Sequence, residues 1–463
     1  MGEPAKAVRK AGHPPPRMGP RPLPLHLGTA ALTWMSSRAA LPLLMSGLLP
    51  WKPPLVKEAA ALRASLDSVD PEAFARALDF EVRHRLDLLL RGFERYRHHS
   101  YRRDLPDPPA VWAEGGTRLL DYGATAKAAK EGAVVLFVPS LVNRGYILDL
   151  AGGNSFLRWL AGSGLRPLLV DWGRPGADER GFDLTDYIAG RLERAFDAAT
   201  GLARGPIGLA GYCMGGNLAL ALALRRPRQV RALALLATPW DFHADRPELA
   251  RVLAATAEPM LRMADRLGEL STDLLQALFF MLDPYLAPRK FLRFATFEPG
   301  SRRELAFVAL EDWLNDGVPL AARVARECLQ GWYGANTPGR GLWQVAGSPV
   351  DPRRVALPTL VLVPAQDRIV PPLSAEALVQ LIPGAERMQP TVGHIGMMVS
   401  GVAESAVWRP LAEWLARRMP PRPARRRGPP SAPSLPSQMQ QTYNSPEEQG
   451  KNLGEANLRR NSR

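Results

Sequence analysis

The chain has 463 residues, 46% of them hydrophobic, which is enough for one large α/β domain with additions or for two or three small domains. Much of the formal net charge of +14 lies near the two ends, so the middle lacks the basic, aromatic-rich face of a nucleic-acid-binding fold. Cys213 and Cys328 form neither a CxxC pair nor a metal-spaced cluster, which excludes a disulfide framework and favours a reducing cytoplasm.

The first part of the chain contains a basic stretch and then an apolar one. Residues 1–24 are basic and rich in proline, and we expect them to be disordered. The apolar stretch at 25–51 is interrupted by Arg38 and Pro42, so it is too polar for a transmembrane span. We interpret it as an interfacial or interaction segment; a buried helix and a targeting signal are the alternatives.

Residues 53–99 have apolar residues three and four positions apart, a pattern typical of helices. The pattern breaks at Asp70 and Pro71, which resemble a helix cap and a first-turn proline. We therefore predict two helices here, and residues 25–110 as an N-terminal helical extension that packs on the main domain or holds a partner.

Six short apolar runs, each bounded by turn residues, alternate with helical patterns from residue 111 onward. Such alternation is typical of a mostly parallel sheet covered by helices on both faces. We therefore predict an α/β domain over residues 111–418, with ligands bound at the carboxyl ends of its strands. The predicted strands are 133–140, 166–173, 206–211, 230–239, 358–367 and 386–390.

Between residues 241 and 347 the alternation gives way to helical patterns, and we expect no strand there. An insertion after one strand of a parallel sheet would lie over the carboxyl ends of the strands, so we predict that 241–347 form a helical cap. Residues 419–463 are rich in Pro, Ser, Gln and Arg, and we expect a disordered basic tail.

The stretch GYCMGG, which begins at Gly211, places a cysteine where an apolar run passes into a helical one. This is typical of a nucleophile elbow, in which a strand turns sharply into a helix and the nucleophile occupies the strained apex. Glycines two positions before and after it, Gly211 and Gly215, keep the turn free of clashes. The motif predicts Cys213 as a nucleophile, with a buried structural cysteine as the alternative.

An elbow nucleophile requires an acid after a later strand and a histidine in a loop beyond it. Asp367 lies just past a predicted strand end, and of the seven histidines only His394 follows the next strand. The chain order therefore predicts a triad of Cys213, Asp367 and His394. A turn-forming aspartate and a surface or core histidine are the alternative interpretations.

Acyl transfer also requires two backbone N–H groups that stabilise an oxyanion. Met214, directly after the nucleophile, would supply the first. Leu141 or Val142, in the loop after an earlier strand, would supply the second, and we select Val142; an ordinary turn fits the same residues. Arg174 is interpreted as structural, with a phosphate contact as the alternative.

A cysteine at this position favours acyl transfer from a thioester over plain ester hydrolysis. A thiolate that attacks a thioester forms another thioester, so the acyl group stays activated, whereas a serine would hold it as a more stable oxoester. Cysteine also needs less help from a base, because a helix N-terminus and a neighbouring histidine favour its thiolate.

Several separated motifs over about residues 119–418 resemble polyhydroxyalkanoate synthases, most closely the class III type. The N-terminal extension and the basic C-terminal tail make the chain longer than the usual class III catalytic subunit. The motifs that carry the resemblance are PSLVNRGYILDL, VDWGRPGADERGFDLTDYI, GYCMGGNLALALA, TPWDF, PTLVLVPAQDRIVPP and VGHIGMMVSGVAESAVWRPLAEWL.

The resemblance implies an α/β-hydrolase fold with a cap, and polymerisation of (R)-3-hydroxyacyl-CoA into polyester with release of CoA. Cys213 would carry the acyl group, His394 would be the base, and Asp367 would orient the histidine and help to activate the attacking hydroxyl. CoA enters as a substrate, and no cofactor or metal is expected. The implied location is cytoplasmic, on polyester granules, with a second synthase subunit or a second copy of the chain as partner.

Two other functions remain open from the residues alone. A thioesterase or an intracellular polyester depolymerase would use the same triad, with water as the acyl acceptor. A granule-associated scaffold protein would use the apolar segment and the basic tails, with the triad residues vestigial. The sequence does not indicate the acyl chain length or the residues that bind CoA.

Overall fold

The computed structural model describes residues 16–245 and 247–419. Residues 420–463 of the tail predicted at 419–463, and residues 1–15 of the predicted basic segment, lie outside these described residues. The described strands are β1 (Ala110–Glu114), β2 (Thr117–Asp121), β3 (Val134–Val138), β4 (Arg166–Asp171), β5 (Ile207–Tyr212), β6 (Val230–Leu236), β7 (Glu269–Leu270), β8 (Leu320–Ala321), β9 (Gln344–Val345), β10 (Ser348–Pro349), β11 (Thr359–Leu362) and β12 (Glu386–Met388).

Eight of these strands form one sheet in the order β1-β2-β4-β3-β5-β6-β11-β12. The pairs from β4 to β12 are parallel, whereas β1–β2 and β2–β4 are antiparallel. All six predicted strands are present, and the α/β class is confirmed. The sequence analysis missed the antiparallel edge formed by β1 and β2.

Helices cover both faces of the sheet, which explains why its inner strands are continuous apolar runs. In β3, Leu136 and Val138 belong to the core on one face, while Val135 and Phe137 belong to the core on the other. The described helices are α1 (Leu23–Ser46), α2 (Val56–Leu66), α3 (Pro71–Arg97), α4 (Phe156–Gly162), α5 (Glu193–Ala203), α6 (Met214–Arg225), α7 (Pro247–Leu267), α8 (Thr272–Phe280), α9 (Leu286–Ala295), α10 (Arg302–Asn315), α11 (Ala322–Arg326), α12 (Pro372–Leu381), α13 (Gly396–Val399) and α14 (Arg409–Arg418).

The predicted cap consists of α7 to α11 and a π-helical stretch, Glu327–Gly334, inserted between β6 and β11. The expectation of no strand in this region is wrong in detail, because β7 pairs with β8, and β9 with β10, as two-residue antiparallel ribbons. Pairs this short have no alternating apolar pattern that a sequence could reveal.

The N-terminal extension contains the two helices predicted for residues 53–99, α2 and α3. Asp70 caps α3, because its carboxylate accepts hydrogen bonds from the backbone N–H groups of Glu72 and Ala73. Helix α3 packs against α9 of the cap through Phe93 and Phe291, whose ring centroids are 4.7 Å apart.

The segment that leads into α1 makes specific contacts, so the boundary predicted at residue 24 lies too late. The Nε atom of Arg17 lies 2.5 Å from Oδ1 of Asp312 in α10, and this ion pair ties the segment to the cap. Pro42 lies inside α1 and does not end it. None of the helices in the described ranges has the length and apolar character needed to cross a membrane.

Candidate active site

Cys213 lies at the junction of β5 and α6, as the elbow motif predicts, and is half-buried. Its backbone has φ 57° and ψ −131°, a strained conformation for a residue other than glycine. Two backbone hydrogen bonds hold it: its N–H donates to Leu236 at 2.9 Å, and its carbonyl accepts from Gly216 at 2.8 Å. The strain therefore presents the thiol at the carboxyl end of β5, at the N-terminus of a helix.

The glycines around Cys213 are required by close backbone contacts. A Cβ atom on Gly211 would lie 2.4 Å from Cα of Gly216, and one on Gly215 would lie 2.0 Å from the carbonyl oxygen of Val138. Gly216, which the sequence analysis did not select, is equally constrained, because its Cβ would lie 1.8 Å from Oγ1 of Thr238. The elbow thus packs directly against β3 and the end of β6.

We expect Gly215→Ala to lower the free energy of unfolding by at least about 2 kcal/mol, because the backbone of Val138 must move to admit the new methyl group. Chemical denaturation would measure this change. The matched control is Gly201→Ala in α5, where nothing lies within 4 Å of the added Cβ. This control should be neutral or stabilising by up to about 1 kcal/mol, and equal effects of the two substitutions would refute the packing argument.

Asp367 and His394 meet beside the elbow. Nδ1 of His394 lies 2.6 Å from Oδ2 of Asp367, and both side chains are buried. The other carboxylate oxygen of Asp367 accepts hydrogen bonds from the N–H groups of Ile369 and Val370, both at 2.8 Å. Asp367 is therefore fixed on both oxygens, and it orients the imidazole so that Nε2 is free to face the thiol.

The electrostatic environment of His394 favours its protonated form. Burial is the largest influence and lowers its pKa, but the charge of Cys213 and the hydrogen bond that His394 donates to Asp367 together outweigh it and raise the pKa of His394 to about 10. The imidazolium therefore persists at neutral pH beside Cys213. Tyr212 closes this corner, since its hydroxyl donates to the carbonyl oxygen of His394 at 3.3 Å.

We expect His394→Gln to slow alkylation of Cys213 by iodoacetamide at pH 6.5 about tenfold or more, because the imidazolium that favours the thiolate is lost. Peptide mass spectrometry would follow the modification at Cys213. Cys328 is an internal control: burial, with a smaller contribution from Glu327, raises the pKa of its thiol, so it should stay unmodified in both proteins. An unchanged rate at Cys213 would contradict the proposed coupling.

The two oxyanion candidates differ in their surroundings. Met214 is the first residue of α6, so its N–H has no partner within the helix and is available beside the thiol. The N–H of Val142 donates to Oγ of Ser140 at 3.1 Å and would have to exchange this bond for an oxyanion. The Leu141 side chain is buried in the core. The role of Val142 stays a prediction.

A cavity of about 280 Å³ opens beside Cys213 and His394. Most of its lining is apolar, from α8, α9 and α10 of the cap, and it also includes Pro20, Arg21 and His26 of the N-terminal segment. In the sequence, His26 lies in the N-terminal region and not after a later strand, so it is not a candidate for the triad. Only the folded chain brings it to this cavity.

Arg174, whose role the sequence left between a structural and a phosphate contact, lies 3.2 Å from Glu269 through its Nη2 atom. This ion pair links the loop after β4 to the cap ribbon. Among the residues that the structure describes, no group of His, Cys, Asp and Glu is arranged to hold a metal ion.

The fold, the elbow and the Asp–His pair define a class of protein. A family model described as the alpha/beta hydrolase fold matches residues 135–400, more than half of the chain. The chain is therefore an α/β hydrolase in structural class, as the sequence predicts.

Comparison with curated proteins narrows this class. The chain is 33% identical over 295 residues to the poly(3-hydroxyalkanoate) polymerase subunit PhaC of Synechocystis sp., covering 61% of this chain and 78% of that one. It is 30% identical over 318 residues to the subunit of the same name from Allochromatium vinosum, covering 67% and 88%. A third such subunit, from Haloferax mediterranei, is 29% identical over 313 residues, and the chain spans 63% of its length. The chain belongs to the poly(3-hydroxyalkanoate) polymerase family.

Proposed function

We propose that the chain polymerises (R)-3-hydroxyacyl groups from their CoA thioesters into a polyester, with Cys213 as the covalent carrier. The observation that carries this proposal is the arrangement of Cys213, His394 and Asp367 at a mostly apolar cavity in a member of the polymerase family. In this site the acyl group would be shielded from water while it remains an activated thioester on Cys213.

In the first half of the proposed reaction, the thiol proton of Cys213 is already held by His394, as the imidazolium. The thiolate attacks the thioester carbonyl of the hydroxyacyl-CoA, and the N–H of Met214 donates to the oxyanion. The carbon–sulfur bond to CoA then breaks, His394 returns a proton to the CoA sulfur, and the acyl group remains on Cys213. Asp367 holds the imidazole in one orientation through both proton transfers.

In the second half, a hydroxyl group of another hydroxyacyl unit attacks the acyl-enzyme. His394 removes the hydroxyl proton, a new ester bond forms, and the proton passes to the departing Cys213 sulfur. Water must be excluded during this step, because it would release a free acid. The cap helices and the N-terminal segment, which line the cavity together, supply that barrier.

The test is to incubate the purified protein with 3-hydroxybutyryl-CoA and to identify both products. CoA together with polyester supports the polymerase proposal. CoA together with free 3-hydroxybutyrate would overturn it in favour of a thioesterase, and incubation with preformed polyester would then test for a depolymerase. No release of CoA would leave the scaffold function as the better description.

We further propose that the protein works in the cytoplasm on the surface of polyester granules, with α1 as a contact region. This helix has a single fully buried residue, Ala30, while large apolar side chains on it and just after it are exposed. Replacing Leu32 and Met35 with Gln should reduce recovery of the protein with isolated granules, and unchanged recovery would refute the role of α1. The exposed apolar residues are Leu32, Met35, Leu43 and Leu48.

Association with a second synthase subunit or with a second copy of the chain is also part of the proposal. Light scattering of the purified protein, alone and during polymer formation, would measure the assembly. Activity of a monomer that never associates would overturn this part.

A further inference from the structure

Three polar residues from different parts of the chain line the cavity that also contains Cys213 and His394. His26 comes from α1 of the N-terminal extension, Lys290 from α9 and Glu311 from α10 of the cap. The lining also contains other polar side chains, among them Arg21, Asn143 and Arg368, beside apolar ones such as Phe280. The ring of Phe280 lies edge-on to His26, with centroids 5.5 Å apart. A polar group in an apolar wall usually fixes the orientation of a ligand.

The tautomer of His26 follows from the hydrogen bond of its Nε2 atom. Its Nε2 atom lies 3.1 Å from the carbonyl oxygen of Arg21, and since a carbonyl can only accept, Nε2 carries the hydrogen. Burial lowers the pKa of His26, the Arg21 carbonyl opposes this, and the charge of Lys290 lowers it further, so the ring is neutral at pH 7. The Nδ1 atom is therefore an acceptor, and it is buried without a partner among the described residues.

Glu311 presents a second acceptor in the same region. Its side chain is 2% exposed, and its Oε1 atom lies 2.6 Å from Nζ of Lys290. Its Oε2 atom is buried and makes no hydrogen bond within the part of the chain that the structure describes. Lys290 has three N–H donors, of which this ion pair uses one.

Buried acceptors without partners are unfavourable, so a ligand that fills them gains affinity. A hydroxyl group fits this set, because its hydrogen can be donated to His26 or Glu311 while its oxygen accepts from Lys290. The cavity has a volume of about 280 Å³. That is room for a short hydroxyacyl group.

We propose that His26, Lys290 and Glu311 form a subsite for the hydroxyl group of the hydroxyacyl substrate, and that the N-terminal extension is therefore part of the active site. This inference rests on the proposed function for the identity of the substrate. It assigns to the chain a means of selecting hydroxyacyl groups over plain acyl groups of the same length.

The test compares 3-hydroxybutyryl-CoA with butyryl-CoA, which differ only in the hydroxyl group, so the contacts of CoA cancel. Binding is measured by calorimetry in the Cys213→Ala protein, where no turnover occurs. We expect about tenfold tighter binding of the hydroxylated ester. Adding His26→Phe should abolish this preference, because it weakens the binding of 3-hydroxybutyryl-CoA and not that of butyryl-CoA. Adding His26→Asn should retain the preference, because the amide oxygen can replace Nδ1 as acceptor.

Two further variants complete the design. Replacing Lys290 and Glu311 together with Met removes the pair without leaving one charge buried alone, and it should also abolish the preference. Glu81→Gln on the exposed surface of α3 is the control and should change nothing. Equal affinities for the two esters in Cys213→Ala, or equal losses for both esters in His26→Phe, would overturn the subsite. Failure of the proposed function would appear separately, as an absence of polymer from the unmodified protein.

Discussion

Replacing Cys213 with alanine is expected to reduce the release of CoA from 3-hydroxybutyryl-CoA by about 10⁴-fold or more, because no other side chain at the elbow can accept the acyl group. The backbone strain at this position, with φ 57°, is set by the surrounding contacts and does not require a thiol. The variant should therefore fold normally. Measurement of CoA release together with thermal unfolding would separate loss of chemistry from loss of structure.

Cys213→Ser gives a second, distinct result. A serine at the elbow would form an oxoester, which is more stable than a thioester, so the next hydroxyl attack would be slow. We expect at most one CoA released per chain, with the acyl group retained on the protein and detectable by intact mass. Repeated turnover by this variant would show that the thioester is not needed, and would favour a hydrolase.

Cys328→Ala is the matched control for both variants. Cys328 is the other cysteine of the chain and lies buried in the π-helical stretch of the cap. Its substitution removes a thiol that is not part of the elbow motif, so activity should stay close to that of the unmodified protein. A similar loss in Cys328→Ala would mean that the cap must be intact for activity. The role of Cys213 as acyl carrier would then depend on the acyl group detected by intact mass in Cys213→Ser.

The sequence predicted the sheet well because its inner strands are buried on both faces. Residues such as Val135 and Leu136 alternate between two cores, and both cores are apolar, so the strand appears as one uninterrupted apolar run. The edge strand β1 lacks this signal, whereas its neighbour β2 is mostly buried. Strand β1 is mostly exposed, and a short exposed strand has no such run to reveal it.

The predicted triad depended on local chemistry at each position. Gly211 has no room for a Cβ atom beside Gly216. Asp367 begins a turn in which its own carboxylate accepts hydrogen bonds from the backbone N–H groups that follow it. Features of this kind leave a pattern in the sequence because they are short-range. The structure places Asp367 against His394 at 2.6 Å, a contact that spans β12 and could be expected only from their order along the chain.

The N-terminal contribution to the cavity could not be predicted, because it depends on contacts between residues far apart in sequence. Arg17 pairs with Asp312, and the backbone N–H of Arg21 donates to the side chain of Asn315 at 2.8 Å. Neither partner carries a recognisable motif. A basic, proline-rich stretch has the composition of a disordered segment, and only its tertiary partners give it a fixed position.

Asp367→Asn is expected to lower CoA release and polymer formation about 10⁴-fold while leaving the fold intact. The amide oxygen can still accept from the N–H groups of Ile369 and Val370, which hold Oδ1 at 2.8 Å. The amide nitrogen must then face Nδ1 of His394, and because it is a donor, it forces Nδ1 to be an acceptor. The ring hydrogen moves to Nε2, so the imidazole cannot remove a proton from Cys213.

The control for this substitution is Asp351→Asn, because Asp351 makes the same local turn without a histidine. Its carboxylate accepts from the N–H of Arg353 at 3.1 Å, in an exposed position before β11. If both variants unfold at the temperature of the unmodified protein and only Asp367→Asn loses activity, the loss is caused by the changed state of His394 and not by unfolding. If the two variants lose activity equally, the turn itself is what matters, and the role of Asp367 as the acid of the triad is refuted.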